Sequence, residues 1–115
     1  MSLPDDVRDA AVRQVEQFCK ERLPEDARAQ IRLEVAVKRA GITIVERRAP
    51  WNEELGGDWT SQSIAELRYD RSTATWSLYW PRATGWHHYE GLDATPDVGP
   101  PLAEIDADPD GVVWG

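Results

Sequence analysis

The pattern that most restricts this chain is an alternation. Ile31, Leu33, Val35 and Val37 are separated by Arg32, Glu34 and Ala36. A side-chain period of two belongs to an extended strand whose two faces differ in polarity. Gly41 marks a turn, and Ile42-Thr43-Ile44-Val45-Glu46 runs back. With Arg39-Ala40 at the tip, Val37 faces Ile42 and Val35 faces Ile44, so apolar meets apolar on one side. The same register sets Arg32 against Arg47 on the other side, a destabilising pair of like charges unless an acid or an anion lies between them. Ser63-Ile64-Ala65-Glu66-Leu67-Arg68-Tyr69 and Thr75-Trp76-Ser77-Leu78-Tyr79-Trp80 read as a second hairpin. Pairing Tyr69 with Trp76 brings Leu67 to Leu78 and Ala65 to Trp80, and leaves Glu66, Arg68 and Tyr79 on the opposite face. The spacing therefore predicts an antiparallel sheet with one greasy side that something must cover.

The cover is helical. Val7, Ala11, Val15, Phe18 and Cys19 follow the three-and-four spacing of one buried stripe, and the predicted helix opens at a capping box from Ser2 to Asp5 with Pro4 in its first turn. Pro24 ends it, because the residue before proline is driven out of helical geometry. A short second helix is predicted from Pro100-Pro101, with Leu102 and Ile105 inward and Pro109 stopping it. Between them, Pro81 to Gly85 reads as a turn and Trp86-His87-His88-Tyr89 as a fifth strand. Its register is open: one choice turns Trp86 inward, the other His87 and Tyr89. Gly111-Val112-Val113-Trp114 is short, β-branched and aromatic, and reads as a last strand. The expected class is α+β: an antiparallel sheet of four to six strands with an N-terminal helix and a short C-terminal helix packed on one face, as a single domain over residues 1–115.

Composition agrees with a folded chain. Of 115 residues 41% are apolar and 30% charged, a balance suited to a globule rather than a disordered tail. No apolar run approaches the roughly 18 residues of a membrane span, and no signal peptide is read at the start. The lone Cys19 excludes an intramolecular disulfide and any all-Cys metal site. The expected location is a reducing cytoplasm. The net charge of −8 is uneven, since residues 31–48 carry five bases against two acids while residues 91–115 carry six acids and no base. Such an anion disfavours nucleic acid as a default partner, although a cationic strip can hold a phosphate locally.

Trp76-Ser77-Leu78-Tyr79-Trp80, Trp86-His87-His88-Tyr89, the ending Asp108-Pro109-Asp110-Gly111-Val112-Val113-Trp114-Gly115, and a basic hairpin preceded by a helix together span nearly the whole chain. In these the sequence resembles DUF3024, a small bacterial family of uncharacterised proteins. That family implies an Arg-Asn type turn after the tryptophan pair, where this chain has Pro81-Arg82-Ala83-Thr84. The resemblance implies one domain and brings no activity with it.

Six tryptophans in 115 residues need placing. Trp76, Trp80 and Trp114 are expected to fill the core, where each ring buries roughly 150–250 Å². Trp51 and Trp59 fall in the irregular connection 49–60 and serve either as plugs at the sheet edge or as exposed binding anchors. Arg32, Lys38 and Arg47 share the non-core face, with Arg68 and Tyr79 extending it. That face is either a solvated surface balanced by Glu34 and Glu66, or a cationic, ring-bearing surface for an anionic ligand or a protein partner. The candidate binding surface is Arg32, Arg47, Arg68, Tyr79, Trp51, Trp59 and Trp86.

No catalytic residue, metal ligand or cofactor is assigned. Asp106-Ala107-Asp108-Pro109-Asp110-Gly111 copies the opening of a calcium loop but lacks the acid that closes the oxygen shell, and reads as a helix stop and turn. His87 and His88 are adjacent on a strand, so they point to opposite faces and cannot chelate one ion together. The leading expectation is a non-catalytic interaction module. The alternatives are a small enzyme using His87, His88 or Cys19 in a sheet-edge pocket, and a homodimer joined through a strand edge or the Trp51/Trp59 loop.

Overall fold

The apolar stripe at the N-terminus forms helix α1 (Asp5–Arg22). Ala11, Val15 and Cys19 are buried, with Val7 and Phe18 packed against the same core. Pro4, not Ser2, is the capping residue, at φ −58° and ψ 142°, and its carbonyl accepts the Arg8 N–H at 2.9 Å. The predicted capping box is thus displaced, because proline's fixed φ already directs the chain into the helix. A computed structural model of the chain describes residues 3–23, 30–50 and 57–108, so Ser2 lies outside the described residues. Leu23 is extended (φ −104°, ψ 125°), as its position before Pro24 requires.

Five strands follow: β1 (Ile31–Val37), β2 (Gly41–Arg48), β3 (Thr60–Asp70), β4 (Thr75–Arg82) and β5 (Gly85–His88). They form one antiparallel sheet in the order β1-β2-β3-β4-β5. The predicted register of the first hairpin is present, with Val35 facing Ile44, Val37 facing Ile42 and Arg32 facing Arg47. Gly41 starts β2 rather than lying in the turn, and pairs with Arg68. A Cβ there would lie 2.5 Å from the Leu67 carbonyl oxygen, so only glycine permits β3 to approach.

Strands β3 and β4 are longer than the alternation suggests. β3 begins at Thr60, and its register against β2 shifts: Ile44 faces Ala65, but Val45 faces Ser63. Ile64 is the extra residue of a β-bulge, which lets the neighbours Ile64 and Ala65 both be buried, at 4% and 0% exposure. Tyr69 pairs with Trp76 and Leu67 with Leu78 as expected, and the ladder ends at Glu66–Tyr79, one step short of the expected Ala65–Trp80 pair. β4 continues through Pro81 to Arg82, so the turn expected over residues 81–85 contracts to Ala83-Thr84. Proline is tolerated there because β3 has already stopped pairing.

Tyr79 pairs with His88 and Trp80 with His87, which resolves the open register: His87 shares the helix side with Trp80, and Trp86 and His88 share the other. Tyr89 is buried and donates its hydroxyl to Glu104 Oε1 at 2.7 Å. Helix α2 (Gly99–Ala107) buries Pro101, Leu102 and Ile105. Asp97 Oδ1 accepts the Gly99 N–H at 2.7 Å at its start, and Asp108 ends it in the left-handed region at φ 41°. The expected last strand at 111–114, with Trp114, lies outside the described residues.

Val15, Ile42, Ile44, Leu67, Leu78, Val98 and Ile105 make the innermost layer between the helices and the sheet. Trp76 joins them at 2% exposure, whereas Trp80 is half-buried and covered by Arg82, whose guanidinium carbon stands 4.7 Å from the ring centroid. The greasy side has limits. Val37, at the end of the edge strand, is 48% exposed, and Glu46 sits opposite Leu33 on the helix side, bonded to Arg48 at 2.6 Å. Both helices lie on this one face, and among the described residues no helix crosses the other, called the open face below. No described helix is long and apolar enough to cross a membrane.

Candidate functional site: the open face of the sheet

Strand parity carries Arg32 and Glu34 of β1, Thr43, Val45 and Arg47 of β2, Ser61, Ser63, Glu66 and Arg68 of β3, Ser77 and Tyr79 of β4, and Trp86 and His88 of β5 to the open face. The bulge keeps both halves of β3 in step with β2, so the arginines at the two ends of the face project from the same side.

At one end Arg32 and Arg47 stand directly opposite each other. Two neighbours relieve the repulsion. Arg47 Nη1 donates to Glu34 Oε1 at 3.4 Å, and the Arg32 guanidinium carbon lies 4.4 Å from the centroid of the Trp59 ring. Arg32 is exposed and has no acid partner among the described residues, where the Trp59 ring face is its charge contact. Arg47 Nε is buried with no hydrogen-bond partner among the described residues.

The other end is more fully compensated. Arg68 Nε donates to Glu66 Oε1 at 2.9 Å, and Thr43 Oγ1 donates to Glu66 Oε2 at 3.4 Å. The Arg68 guanidinium carbon is 4.0 Å from the Tyr79 ring centroid, and His88 meets Tyr79 edge-on at 5.3 Å. Glu66 is only 13% exposed, so this carboxylate is built in, whereas Glu34 at 47% is free to be displaced. Between the two ends the floor is made of small or short side chains, Thr43, Val45, Ser61 and Ser63, with Thr43 itself 2% exposed.

Of the candidate residues read from the sequence, Arg32, Arg47 and Trp59 are brought together at one end and Arg68 and Tyr79 at the other. Trp86 is on the same face opposite Pro81, half-buried, and Trp51 lies outside the described residues. Lys38 falls past the end of β1, in the turn. One member, His88, and one contact, that of Trp59 with Arg32, were missed by sequence reasoning. His88 depended on the unresolved register of its strand. The stack of Trp59 on Arg32 depended on β3 reaching back to Thr60, which Thr60-Ser61-Gln62 conceals because it carries no apolar alternation. The signal present was parity, since Trp59 is two residues from Ser61, the partner of Arg47.

The enzyme alternative meets two separate hollows. A cavity of about 650 Å³ between α1 and β1 is lined by Glu16, Cys19, Lys20, Leu23, Ile31 and Leu33 among others. Burial and the nearby Glu16 carboxylate push the Cys19 thiol up to about 11, which opposes its use as a nucleophile. A second hollow of about 350 Å³ at the β5 edge is lined by Trp80, Arg82, His87, His88, Tyr89, Glu90 and Gly91. It adjoins both histidines, and Thr84 Oγ1 lies 2.7 Å from His87 Nε2, but Cys19 is not part of it. No group of His, Cys, Asp and Glu among the described residues could hold a metal ion.

Compared with known families, residues 3–115 match the model of DUF3024, a domain of unknown function. The chain belongs to the DUF3024 family. No curated protein and no solved structure matches it. In this DUF3024 chain the tryptophan-bearing β4–β5 hairpin forms one edge of the open face.

Proposed function

We propose that this chain is a non-catalytic binding module, one α+β domain whose open sheet face receives an anionic partner. The observation that carries the reading is Arg32: it is exposed, faces a second arginine, is stacked on Trp59 and lacks an acid among the described residues. An oxyanion between Arg32 and Arg47 would relieve their repulsion, gain forked hydrogen bonds and satisfy the buried Arg47 Nε. The net charge of −8 disfavours a polyphosphate chain and favours a ligand whose negative charge is local.

The test is a titration at low salt with nucleotides, short single-stranded DNA and acidic peptides, followed by tryptophan fluorescence. Trp59, beneath Arg32, gives a saturable change in wild type that Arg32→Gln abolishes. No change with any ligand overturns the reading.

A second reading, a small hydrolase at the β5 edge, is favoured by a hollow lined by both histidines, one of which, His87, meets Thr84 Oγ1 at 2.7 Å. It requires ester or phosphoester turnover that is lost in His87→Gln, and a chain inert toward a panel of such substrates rejects it.

A further inference from the structure

Resting on that reading, we infer that the ligand is an extended acidic peptide crossing the open face obliquely from β2 toward β4, with a carboxylate at Arg32/Arg47 and an aromatic side chain on the Arg68/Tyr79 platform.

The two ends of the open face differ in kind. At the Arg32/Arg47 end the positive charge is under-compensated among the described residues, because Glu34 makes a single long contact at 3.4 Å and Arg32 meets a ring but no acid. At the Arg68 end the charge is spent on Glu66 at 2.9 Å, and what remains is a flat surface, a guanidinium plane over the Tyr79 ring with His88 at its edge. Such a plane accepts an aromatic group by stacking and has little left for a second anion.

The spacing sets the ligand's form. Arg68, the partner of Gly41, lies six residues from Arg47 along the strands and one strand over, and Tyr79, in the row of Thr43 and Glu66, lies four residues along and two strands over, all on the open face. At ~3.3 Å per residue and ~4.8 Å between strands, the platform lies roughly 16–20 Å from Arg47. A mononucleotide cannot span this distance. An extended peptide can, and six is an even number, so side chains at its positions i and i+6 point to the same side. The open-face side chains between the ends on β2 and β3 include the short Thr43, Val45 and Ser63, over which a backbone can pass.

Charge selects a peptide over a single-stranded nucleic acid. A polynucleotide would place phosphates along the whole span, over hydroxyls and beside the Glu66 carboxylate, where no unmatched cation waits. A peptide with its acid at one end fits the asymmetry.

The experiment measures binding of four synthetic peptides of equal length and otherwise identical background to the full chain, with oligothymidylates of increasing length as a separate arm. The peptides carry Glu at position i and Trp at i+6, Glu at i and Trp at i+5, Glu alone, or Trp alone. The i,i+6 peptide is expected to bind roughly threefold to tenfold tighter than the i,i+5 or Glu-only peptide, the range a ring contact gives. In Arg68→Gln that advantage disappears while Glu-only binding stays. The peptide comparison on wild type stands even where this variant is poorly folded. Equal affinity for the first three peptides overturns the inference and leaves the anion reading intact. Binding of none of the peptides and no oligothymidylate overturns both. Tighter binding of oligothymidylate than of any peptide, rising with length, replaces the peptide by a nucleic acid and overturns the inference.

Discussion

At the scale of single residues, Cys19 and Gly41 show how far local environment governs behaviour. The Cys19 thiol is buried beside Glu16 and its pKa is raised from 9.0 to about 11. The folded state therefore favours the neutral thiol more than the unfolded chain does. That contribution is complete below pH 9 and is lost as the pH climbs toward 11, by about 3 kcal/mol at most. The stability difference between wild type and Cys19→Ala, followed by urea denaturation, should be flat from pH 6 to 8.5 and shrink between pH 9 and 11. A difference independent of pH would mean that the thiol is not desolvated. Gly41 answers to sterics instead. Its Cβ position lies 2.5 Å from the Leu67 carbonyl oxygen, and backbone cannot yield as a side-chain tip would. Gly41→Ala should cost about 1–3 kcal/mol, read as a lower denaturation midpoint with unchanged slope.

Among the elements, the first hairpin was legible almost to the residue, because Ile31, Leu33, Val35, Ile42 and Ile44 admit only one register that buries them all. The Arg32/Arg47 pair followed from the same alignment. What stayed hidden was polar. The end of β3 from Thr60 to Gln62 carries no hydrophobic signal, and Ile64 breaks parity by a bulge, so alternation alone shortens that strand. The direction of His88 awaited a register that Trp86-His87-His88-Tyr89 leaves undecided in sequence. The roles of Glu34 and Glu66 were legible as charge balance, though not the difference in their burial, which makes one end of the face open and the other closed. The attachment of α2 was equally invisible, since the Tyr89–Glu104 hydrogen bond joins residues with no periodic relation. Tyr89 is buried, so removing its hydroxyl leaves Glu104 short of a donor. Tyr89→Phe should lower stability by about 1–2 kcal/mol, or roughly 5–10 °C in Tm. A Tm within 1 °C of wild type would show that the bond contributes nothing.

The whole molecule sets a conflict between long-range and short-range electrostatics. The chain carries a net charge of −8, yet residues 31–48 contribute a local excess of three positive charges. The molecule is 51 Å long and 29 by 24 Å across. At 0.02 M salt the Debye length is roughly 20 Å, comparable to those dimensions, so an approaching acidic peptide senses the total charge and is repelled. At 0.3 M it falls to roughly 6 Å, and the peptide senses only the arginines it is about to touch. Raising the salt should therefore speed association of the Glu/Trp peptide several-fold, while dissociation also quickens as the Arg32 and Arg47 contacts are screened. Stopped-flow tryptophan fluorescence across this range separates the two rates. An association rate that falls steadily with salt would mean that the basic hairpin, not the acidic whole, governs the encounter. Arg32→Gln divides the effects further: it should raise the dissociation rate about tenfold or more at every salt concentration, and change the salt slope of association little, because one charge among an excess of eight alters the distant field only slightly.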